Sequence, residues 1–173
     1  GSWQALYSYG KLILFPEETV TGRRENWQYE LDLRPACGAL PDGITPLAEI
    51  SFPDRRVAQL YIAKNMPQYR YRVQMAYPLR QLLQLGHPLL FRYRQAGDRI
   101  LPLKGTGHKT LKKYLIECKI PVEDRERLVV AAVGSEIIWI PGMANARWKT
   151  GPTGTEEKAA EQGWLFINIK CCL

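Results

Sequence analysis

Proline and glycine divide this chain into short apolar segments, and that division limits what the chain can fold into. Its 173 residues include 14 glycines and 12 prolines, which place turn signals between runs such as KLILF, WQYELDLRP and WLFINI. The clearest alternation lies in YRYRVQMAY, where every second residue falls on the same face. No apolar run approaches the ~20 residues that a membrane span needs. The pattern therefore predicts short strands in a soluble chain.

Three segments from Pro78 onward predict short helices. PLRQLLQLGHP has the pattern of one or two helical turns that end at Gly86. VEDRERLV predicts another short helix. The remaining helix is predicted to begin at Thr106 and to end before Pro121, which cannot continue it. Its apolar stripe consists of Leu111, Leu115 and Cys118, with Tyr114 at the edge.

A β-hairpin is predicted after these helices. VVAAV and EIIWIPG flank the pair Gly134-Ser135, and a two-residue loop that contains glycine is typical of a hairpin turn. The order of strands, then helices, then strands again favours an α+β fold over a doubly wound sheet.

The ends of the chain and its length bear on its organisation. Residues 1–2, Gly-Ser, are interpreted as the remnant of a cleaved expression tag, and with no initiator methionine we expect a piece of a longer protein. The length allows one continuous domain, or a strand-rich part at 3–78 followed by a second part at 79–173.

Basic residues are concentrated in one stretch. The chain has a net charge of +7, and the stretch from Phe91 to Lys113 holds seven basic residues with Asp98 as its single acid. Strand alternation in PLLFRYRQAGDRI predicts that Phe91 and Tyr93 face inward while the arginines face outward. The seven basic residues are Arg92, Arg94, Arg99, Lys104, Lys109, Lys112 and Lys113.

Three interpretations of this basic stretch are open. GTGHKT could be a nucleotide phosphate loop, but it lacks the G-x-x-x-x-G-K-[ST] spacing. The lysines could simply keep the outer face of a helix in solvent. Alternatively, cations from a strand, a loop and a helix could bind nucleic-acid phosphates, helped by free N–H groups at a helix start near 106–108. Charge alone does not separate the last two.

Individual residues of the stretch have competing roles. Lys109, Lys112 and Lys113 are the main candidates for phosphate contacts, followed by Lys104 and Arg92. His108 can bond a phosphate or ribose, or it can be a neighbour of the helix cap.

The turn Gly97-Asp98-Arg99 is expected to use Asp98 to cap backbone amides while Arg99 projects outward. In the alternative, Asp98 pairs with Arg99 or a lysine and has only structural value. Arg94 could pair with Glu117 or Asp98, and Glu117 could partly neutralise Lys113.

Other residues are assigned mainly structural roles. Arg125 and Arg127 lie among acids and are expected to form local ion pairs, and Trp139 is expected in the core. Trp148 lies beside two basic residues and is a better candidate than Trp139 for stacking on a base. Even for Trp148, stacking is not the favoured role.

The cysteines give no sign of a metal site. They show no C-x-x-C spacing and no nearby histidine partners, so we expect no metal, and free thiols fit a reducing cytoplasm. No nucleophile–base arrangement is visible, so no catalytic residue is assigned. The four cysteines are Cys37, Cys118, Cys171 and Cys172.

The stretch RYRQAGDRILPLKGTGHKTLKKYLIECKIPVEDRERLVV, followed by EIIWIPG, resembles the C-terminal substrate-binding domain of bacterial tRNA(Ile)-lysidine synthetase. The resemblance is strong over 88–143. It is carried by Arg92, Arg94, Gly97, Asp98 and Arg99, then Gly105, Lys109, Leu111, Lys112, Ile116, Lys119, Ile120 and Pro121, and finally Arg125, Arg127, Trp139, Pro141 and Gly142.

The resemblance implies a function for the parent protein. Members of that family are ATP-dependent ligases that attach lysine to the wobble cytidine of tRNA(Ile), and their ATP chemistry belongs to an N-terminal domain with an S-G-G-x-D-S motif. This chain has no such motif. It is therefore expected to position tRNA(Ile) through the phosphate backbone, with no cofactor of its own, while ATP with Mg and lysine serve the parent enzyme. The implied partners are tRNA(Ile) and the N-terminal catalytic domain, in the cytoplasm and with no membrane, and a homodimer of the parent enzyme is left open.

The resemblance also implies a fold and a set of binding residues. The expected fold is an α+β domain with a β-sandwich-like core, similar to one in the phenylalanyl-tRNA synthetase β chain. A structural or protein-interaction module with a solvated basic helix face is the alternative function, and an independent enzyme is disfavoured. The expected RNA-binding residues are Arg92, Arg94, Arg99, Lys104, His108, Lys109, Lys112 and Lys113.

Overall fold

The computed structural model describes residues 3–8, 11–16, 26–37, 40, 42–64, 75–102, 107–143 and 163–171. The strands are β1 (Trp3–Ser8), β2 (Lys11–Pro16), β3 (Gln28–Leu31), β4 (Thr45–Ser51), β5 (Arg56–Ala63), β6 (Met75–Pro78), β7 (Leu89–Tyr93), β8 (Arg99–Ile100), β9 (Lys109–Thr110), β10 (Val129–Val133), β11 (Glu136–Trp139) and β12 (Trp164–Cys171). The helices are α1 (Leu79–Gln84), α2 (Leu111–Glu117) and α3 (Val122–Glu126), with a short 3-10 helix at Arg34–Cys37.

The strands pair in three sheets. One sheet has six strands in the order β3-β7-β10-β11-β8-β9, a second has four in the order β4-β5-β12-β6, and β1 pairs with β2. Neighbouring strands are antiparallel except β8 and β11, which run parallel. Strand β12, near the end of the chain, lies between β5 and β6, so the four-stranded sheet is completed by a distant part of the sequence.

The two larger sheets face each other across the main core. The rings of Phe52, which follows β4, and Phe91 on β7 lie 5.8 Å apart and join the two sheets directly. Aliphatic side chains fill the space around them, which is the layered arrangement by which a sheet buries its apolar face. They include Leu60, Ile62, Leu165 and Ile167 from one sheet and Leu89, Val129, Ala131 and Val133 from the other.

Strand β10 is buried on both faces. Val129, Ala131 and Val133 belong to the main core, whereas Val130 and Ala132 belong to a second core on the opposite side of the six-stranded sheet. Alternating side chains of one strand point to opposite faces, so an unbroken apolar run indicates cover on both sides.

Helix α2 provides the cover for the second core. Leu111 and Leu115, four residues apart on one face of the helix, are fully buried against Val130, Ala132 and Ile137. The molecule therefore has three layers in this region, with α2 outside the six-stranded sheet.

The α+β class is confirmed, as are the three short helices, the final strand and the hairpin of β10 and β11. In the hairpin turn Gly134 has φ +61° while Ser135 has no positive φ, as in a type II′ turn. Of the predicted alternating strand at 69–77, the residues 69–74 lie outside the described residues, and the described part forms β6.

Two details predicted for the basic helix are wrong. Its start at Thr106 is replaced by a start at Leu111, because Lys109 and Thr110 pair with β8 as a strand and Thr110 caps the helix by accepting from the Lys113 N–H. Cys118 does not belong to the apolar stripe, since it lies exposed in the turn after the helix.

The cover that α2 provides can be tested by one substitution. Leu115→Ala removes a fully buried side chain and should lower the free energy of unfolding by about 2–5 kcal/mol. Ile116→Ala, at a neighbouring side chain that is 44% exposed, should change it by only about 0.5 kcal/mol. Urea unfolding followed by circular dichroism measures both, and equal losses would contradict the packing.

Candidate nucleic-acid interface

Arg92 does not face solvent as the strand pattern predicted. It is only 3% exposed, and its Nη1 and Nη2 atoms donate to Oδ2 and Oδ1 of Asp98 at 2.9 and 2.7 Å. The reason lies in the neighbouring strand, where Arg92 is paired with Val130, a residue of the second core. Paired residues share a face of the sheet, and this face is covered. Arg92 therefore offers no open surface to a ligand.

Further hydrogen bonds of Arg92 reach its own strand and the hairpin turn. Nη1 donates to the Tyr93 carbonyl at 3.0 Å, and Nη2 donates to the Gly134 carbonyl in the hairpin turn at 3.1 Å. A buried guanidinium needs partners for its N–H groups as well as for its charge, and here carbonyls and a carboxylate supply them. The end of β7 is thereby fixed to the turn between β10 and β11.

Asp98 organises the turn that leads into β8. Its Oδ2 accepts from the Gln95 N–H at 2.7 Å, and Gly97 adopts φ +89°, so the predicted turn with a capping aspartate is confirmed. The carbonyl of Asp98 also accepts from the Leu111 N–H at 2.8 Å, at the start of α2. The alternative in which Asp98 pairs with Arg99 or a lysine is wrong, because the partner is Arg92.

Arg94, which directly follows β7, is also engaged within the domain. It is half-buried, its Nε donates to the Arg125 carbonyl at 2.8 Å, and it forms an ion pair with Glu126 on α3. The predicted pairing with Glu117 or Asp98 is wrong. In this position Arg94 ties β7 to α3.

The direct ion pair of Glu117 is with Lys109. The Nζ of Lys109 lies 2.6 Å from Oε2 of Glu117, in the last turn of α2. The hydrogen bond from Lys109 lowers the pKa of the Glu117 carboxyl, and the charges of Lys109 and Lys113 lower it further. Lys113 thus lies within electrostatic reach of Glu117, while the direct contact belongs to Lys109.

His108 is also paired with a carboxylate. Its Nε2 lies 2.6 Å from Oε1 of Glu136, the first residue of β11. Glu136 is in turn the Cα partner of Arg99 on β8. A second carboxylate therefore lies next to the basic residues, again from outside the basic stretch of the sequence.

Of the expected RNA-binding residues that the structure describes, three are exposed and have no carboxylate partner in the described part of the chain: Arg99, Lys112 and Lys113. Arg99 on β8 is the Cα partner of Thr110 on β9, and the two lysines follow in the first turn of α2. Because Leu111 faces the core, Lys112 and Lys113 have to face solvent. We call Arg99, His108, Lys109, Lys112 and Lys113 the basic surface.

The remaining residues that the sequence analysis singled out do not belong to the basic surface. Lys104 and Trp148 lie outside the described residues. Trp139 is 1% exposed and is confirmed as a core residue. Sequence reasoning missed Glu126 and Glu136, and it considered Glu117 for Arg94 and Lys113 but not for Lys109, because the order of charges along the chain does not show which acid the fold brings to which base.

The basic surface has the chemistry of an anion-binding face. It presents a guanidinium and several ammonium groups within a few residues of one another, which suits phosphate oxygens. No group of three or more metal-ligating side chains occurs in the part of the chain that the structure describes. None of the described helices is long and apolar enough to cross a membrane.

The family model described as "TilS substrate C-terminal domain" matches residues 89–164. This part of the chain belongs to that family. The match includes the whole basic surface and both residues of the Arg92–Asp98 pair. The matched region is therefore homologous to the C-terminal region of tRNA(Ile)-lysidine synthase, as two relatives illustrate.

Both relatives are named tRNA(Ile)-lysidine synthase. The protein of Geobacillus kaustophilus is 31% identical over 153 residues, which cover 87% of this chain and 29% of that protein. The protein of Clostridium tetani is 41% identical over 139 residues, which cover 80% of this chain and 27% of that protein. The chain thus spans less than a third of the length of these relatives.

A solved structure supports the fold of the TilS C-terminal domain. The crystal structure of a TilS C-terminal domain superposes with a TM-score of 0.54 and 20% identity, over 76% of this chain and 98% of the other. At this identity the likeness concerns the α+β fold.

The buried ion pair of this TilS domain should be essential to its stability. Asp98→Asn leaves the Arg92 charge buried without a counter-charge and should lower the free energy of unfolding by about 3–5 kcal/mol. Asp54→Asn, at an exposed aspartate paired with Arg56, should cost no more than about 1 kcal/mol. Chemical denaturation compares the two, and a small loss for Asp98→Asn would contradict the role of the pair.

The ion pair on the basic surface makes a prediction about pH. Lys109→Ala should raise the pKa of Glu117 towards its ordinary value, and Lys113→Ala should raise it less. The pKa of Glu117 is lowered in the folded state, so the pair contributes stability above the unfolded pKa and loses it as the pH falls through the folded pKa. A carboxyl ¹³C NMR titration measures the shift, and a larger rise in Lys113→Ala would contradict the pairing.

Proposed function

We propose that this chain binds tRNA(Ile) through the basic surface, as the substrate-binding part of a tRNA(Ile)-lysidine synthase. That enzyme would use ATP to attach lysine to the wobble cytidine of the tRNA. Support comes from the family, whose description names a substrate domain, and from relatives that carry the name of the enzyme.

The observation that carries the proposal is the grouping of Arg99, Lys112 and Lys113. They come from β8 and α2, are brought together by the pairing of β8 with β9, and have no carboxylate partner among the residues described. An A-form RNA helix has a deep major groove that side chains cannot read, so proteins bind its phosphates and 2′-hydroxyls. Cations that come from separate elements suit such a surface.

The proposed contacts would position the tRNA and would not read its sequence. Bonds to phosphate set register and orientation, whereas discrimination requires contacts to base edges. We therefore assign recognition of the wobble cytidine to another part of the enzyme. Arg92 and Arg94 would contribute to this positioning only as structural supports, since both are engaged inside the domain.

The chemistry of lysine attachment would also lie elsewhere in the enzyme. GTGHKT lacks the spacing of a phosphate loop, and the chain contains no S-G-G-x-D-S sequence. These residues do not fit ATP, so we assign ATP, Mg²⁺ and lysine to an N-terminal catalytic domain. That domain and tRNA(Ile) are the proposed partners, in the cytoplasm, and a homodimer of the parent enzyme stays open.

A salt titration tests the proposal. Fluorescence anisotropy with tRNA(Ile) should show binding that weakens steeply with salt, and Lys112→Ala/Lys113→Ala should weaken binding and flatten the log–log salt slope by about two units. The control is Lys64→Ala/Lys170→Ala, which removes the same charge from two exposed lysines, one directly after β5 and one on β12. It should leave the slope unchanged.

Two results would contradict the proposal. One is an equal effect of both double variants, which would mean that only the net charge of the domain matters. The other is salt-dependent binding that neither variant changes. Repeating the Lys112→Ala/Lys113→Ala substitution in the full-length enzyme, with lysidine formation at limiting tRNA as the readout, should show a raised KM for tRNA.

A further inference from the structure

The ion pair between Lys109 and Glu117 lies inside the basic surface. Its Nζ–Oε2 distance is 2.6 Å, and the two side chains are 35% and 42% exposed. Lys109 is on β9 and Glu117 is in the last turn of α2, so the pair spans the side of the helix that also carries Lys113. Glu117 is therefore a carboxylate in direct contact with a cation of the basic surface.

This pair places a condition on any phosphate that approaches Lys109. The ammonium group has to leave Glu117 before it can bind a phosphate fully, and an unneutralised carboxylate beside the surface repels the phosphate. Exposed pairs of this kind are weak, so the exchange is accessible under ordinary conditions. Whether Lys109 leaves Glu117 depends on how firmly the rest of the basic surface holds the RNA in place.

A well-fitting RNA and a poorly fitting RNA differ in that respect. An RNA already held at Arg99, Lys112 and Lys113 presents its next phosphate to Lys109 at high effective concentration, and can displace the carboxylate. An RNA that makes only one or two of those contacts leaves Lys109 with Glu117. The repulsive carboxylate of Glu117 can thus increase the difference in affinity between the two RNAs beyond what attractive contacts alone produce.

We infer that Glu117 is a specificity-determining residue of the basic surface, which withholds Lys109 from RNA that does not fit and releases it to tRNA that does. This inference rests on the proposed function. We do not assign the same role to Glu136, because its partner His108 carries a charge only when protonated.

The test compares two substitutions that change the net charge equally. Glu117→Gln removes the carboxylate that holds Lys109. Glu49→Gln is the control, because Glu49 on β4 is likewise exposed and accepts one side-chain hydrogen bond, from Gln59 Nε2 at 2.8 Å. Circular dichroism verifies that both variants fold, and anisotropy measures their binding to tRNA(Ile) and to an unrelated duplex RNA.

Glu117→Gln should bind the unrelated duplex about two- to fivefold more tightly than the wild type, with a salt slope steeper by about one unit. Its affinity for tRNA(Ile) should rise less, so that the discrimination between the two RNAs falls. Glu49→Gln should match the wild type on both RNAs. In a Lys109→Ala background the gain from Glu117→Gln should disappear.

Four results would overturn the inference. Glu117→Gln can behave like Glu49→Gln, it can weaken binding, it can tighten both RNAs equally, or its gain can persist without Lys109. If any of these occurs while Lys112→Ala/Lys113→Ala still weakens binding, the proposed function stands and only the role of Glu117 is lost. If Lys112→Ala/Lys113→Ala has no effect, the proposed function itself fails.

Discussion

Arg92 and Asp98 form a buried, bidentate ion pair between the six-stranded sheet and the turn that leads into β8. Moving two such charges out of water costs several kcal/mol for each, and only close geometry with additional hydrogen bonds offsets that cost. These additional bonds are present. Arg92 donates to two backbone carbonyls, and Asp98 accepts from the Gln95 N–H. Removing either partner would leave the other charge buried alone, so the turn is held in one conformation.

The position of the basic surface follows from that pair. Arg99 comes directly after Asp98, and the Asp98 carbonyl accepts from the Leu111 N–H at the start of α2. Leu111 and Leu115 then fix the rotation of the helix by packing on the second core, which turns Lys112 and Lys113 towards solvent. A charge pair in the interior and an apolar stripe on a short helix together place three exposed cations in one neighbourhood. Fold and proposed function are linked by these contacts.

The sequence predicted those parts of the fold whose signals are local. The hairpin of β10 and β11 follows from a glycine turn between two apolar runs, and α1 follows from a helical pattern that ends at Gly86 before Pro88. The start of α2 was misplaced because Thr106 and Thr110 are equally suitable caps, and only the pairing of β9 with β8 distinguishes them.

The candidate site was harder to predict because its electrostatics depend on contacts between distant parts of the chain. Alternation along β7 shows that Arg92 and Phe91 lie on opposite faces, but it does not show that both faces are covered. Glu117, Glu126 and Glu136 reach their basic partners only through the packing of α2, α3 and β11. Half of the residues expected to bind RNA are therefore paired with carboxylates, and Arg99, Lys112 and Lys113 carry the proposal.

The most direct measurement is the rate at which individual lysines are acetylated in the presence and absence of tRNA(Ile), determined by mass spectrometry. If the phosphate backbone rests on the basic surface, the RNA should slow the modification of Lys112 and Lys113, while Lys64 after β5 and Lys170 on β12 keep their rates. Equal protection of all four lysines, or protection of Lys64 and Lys170 alone, would contradict the account.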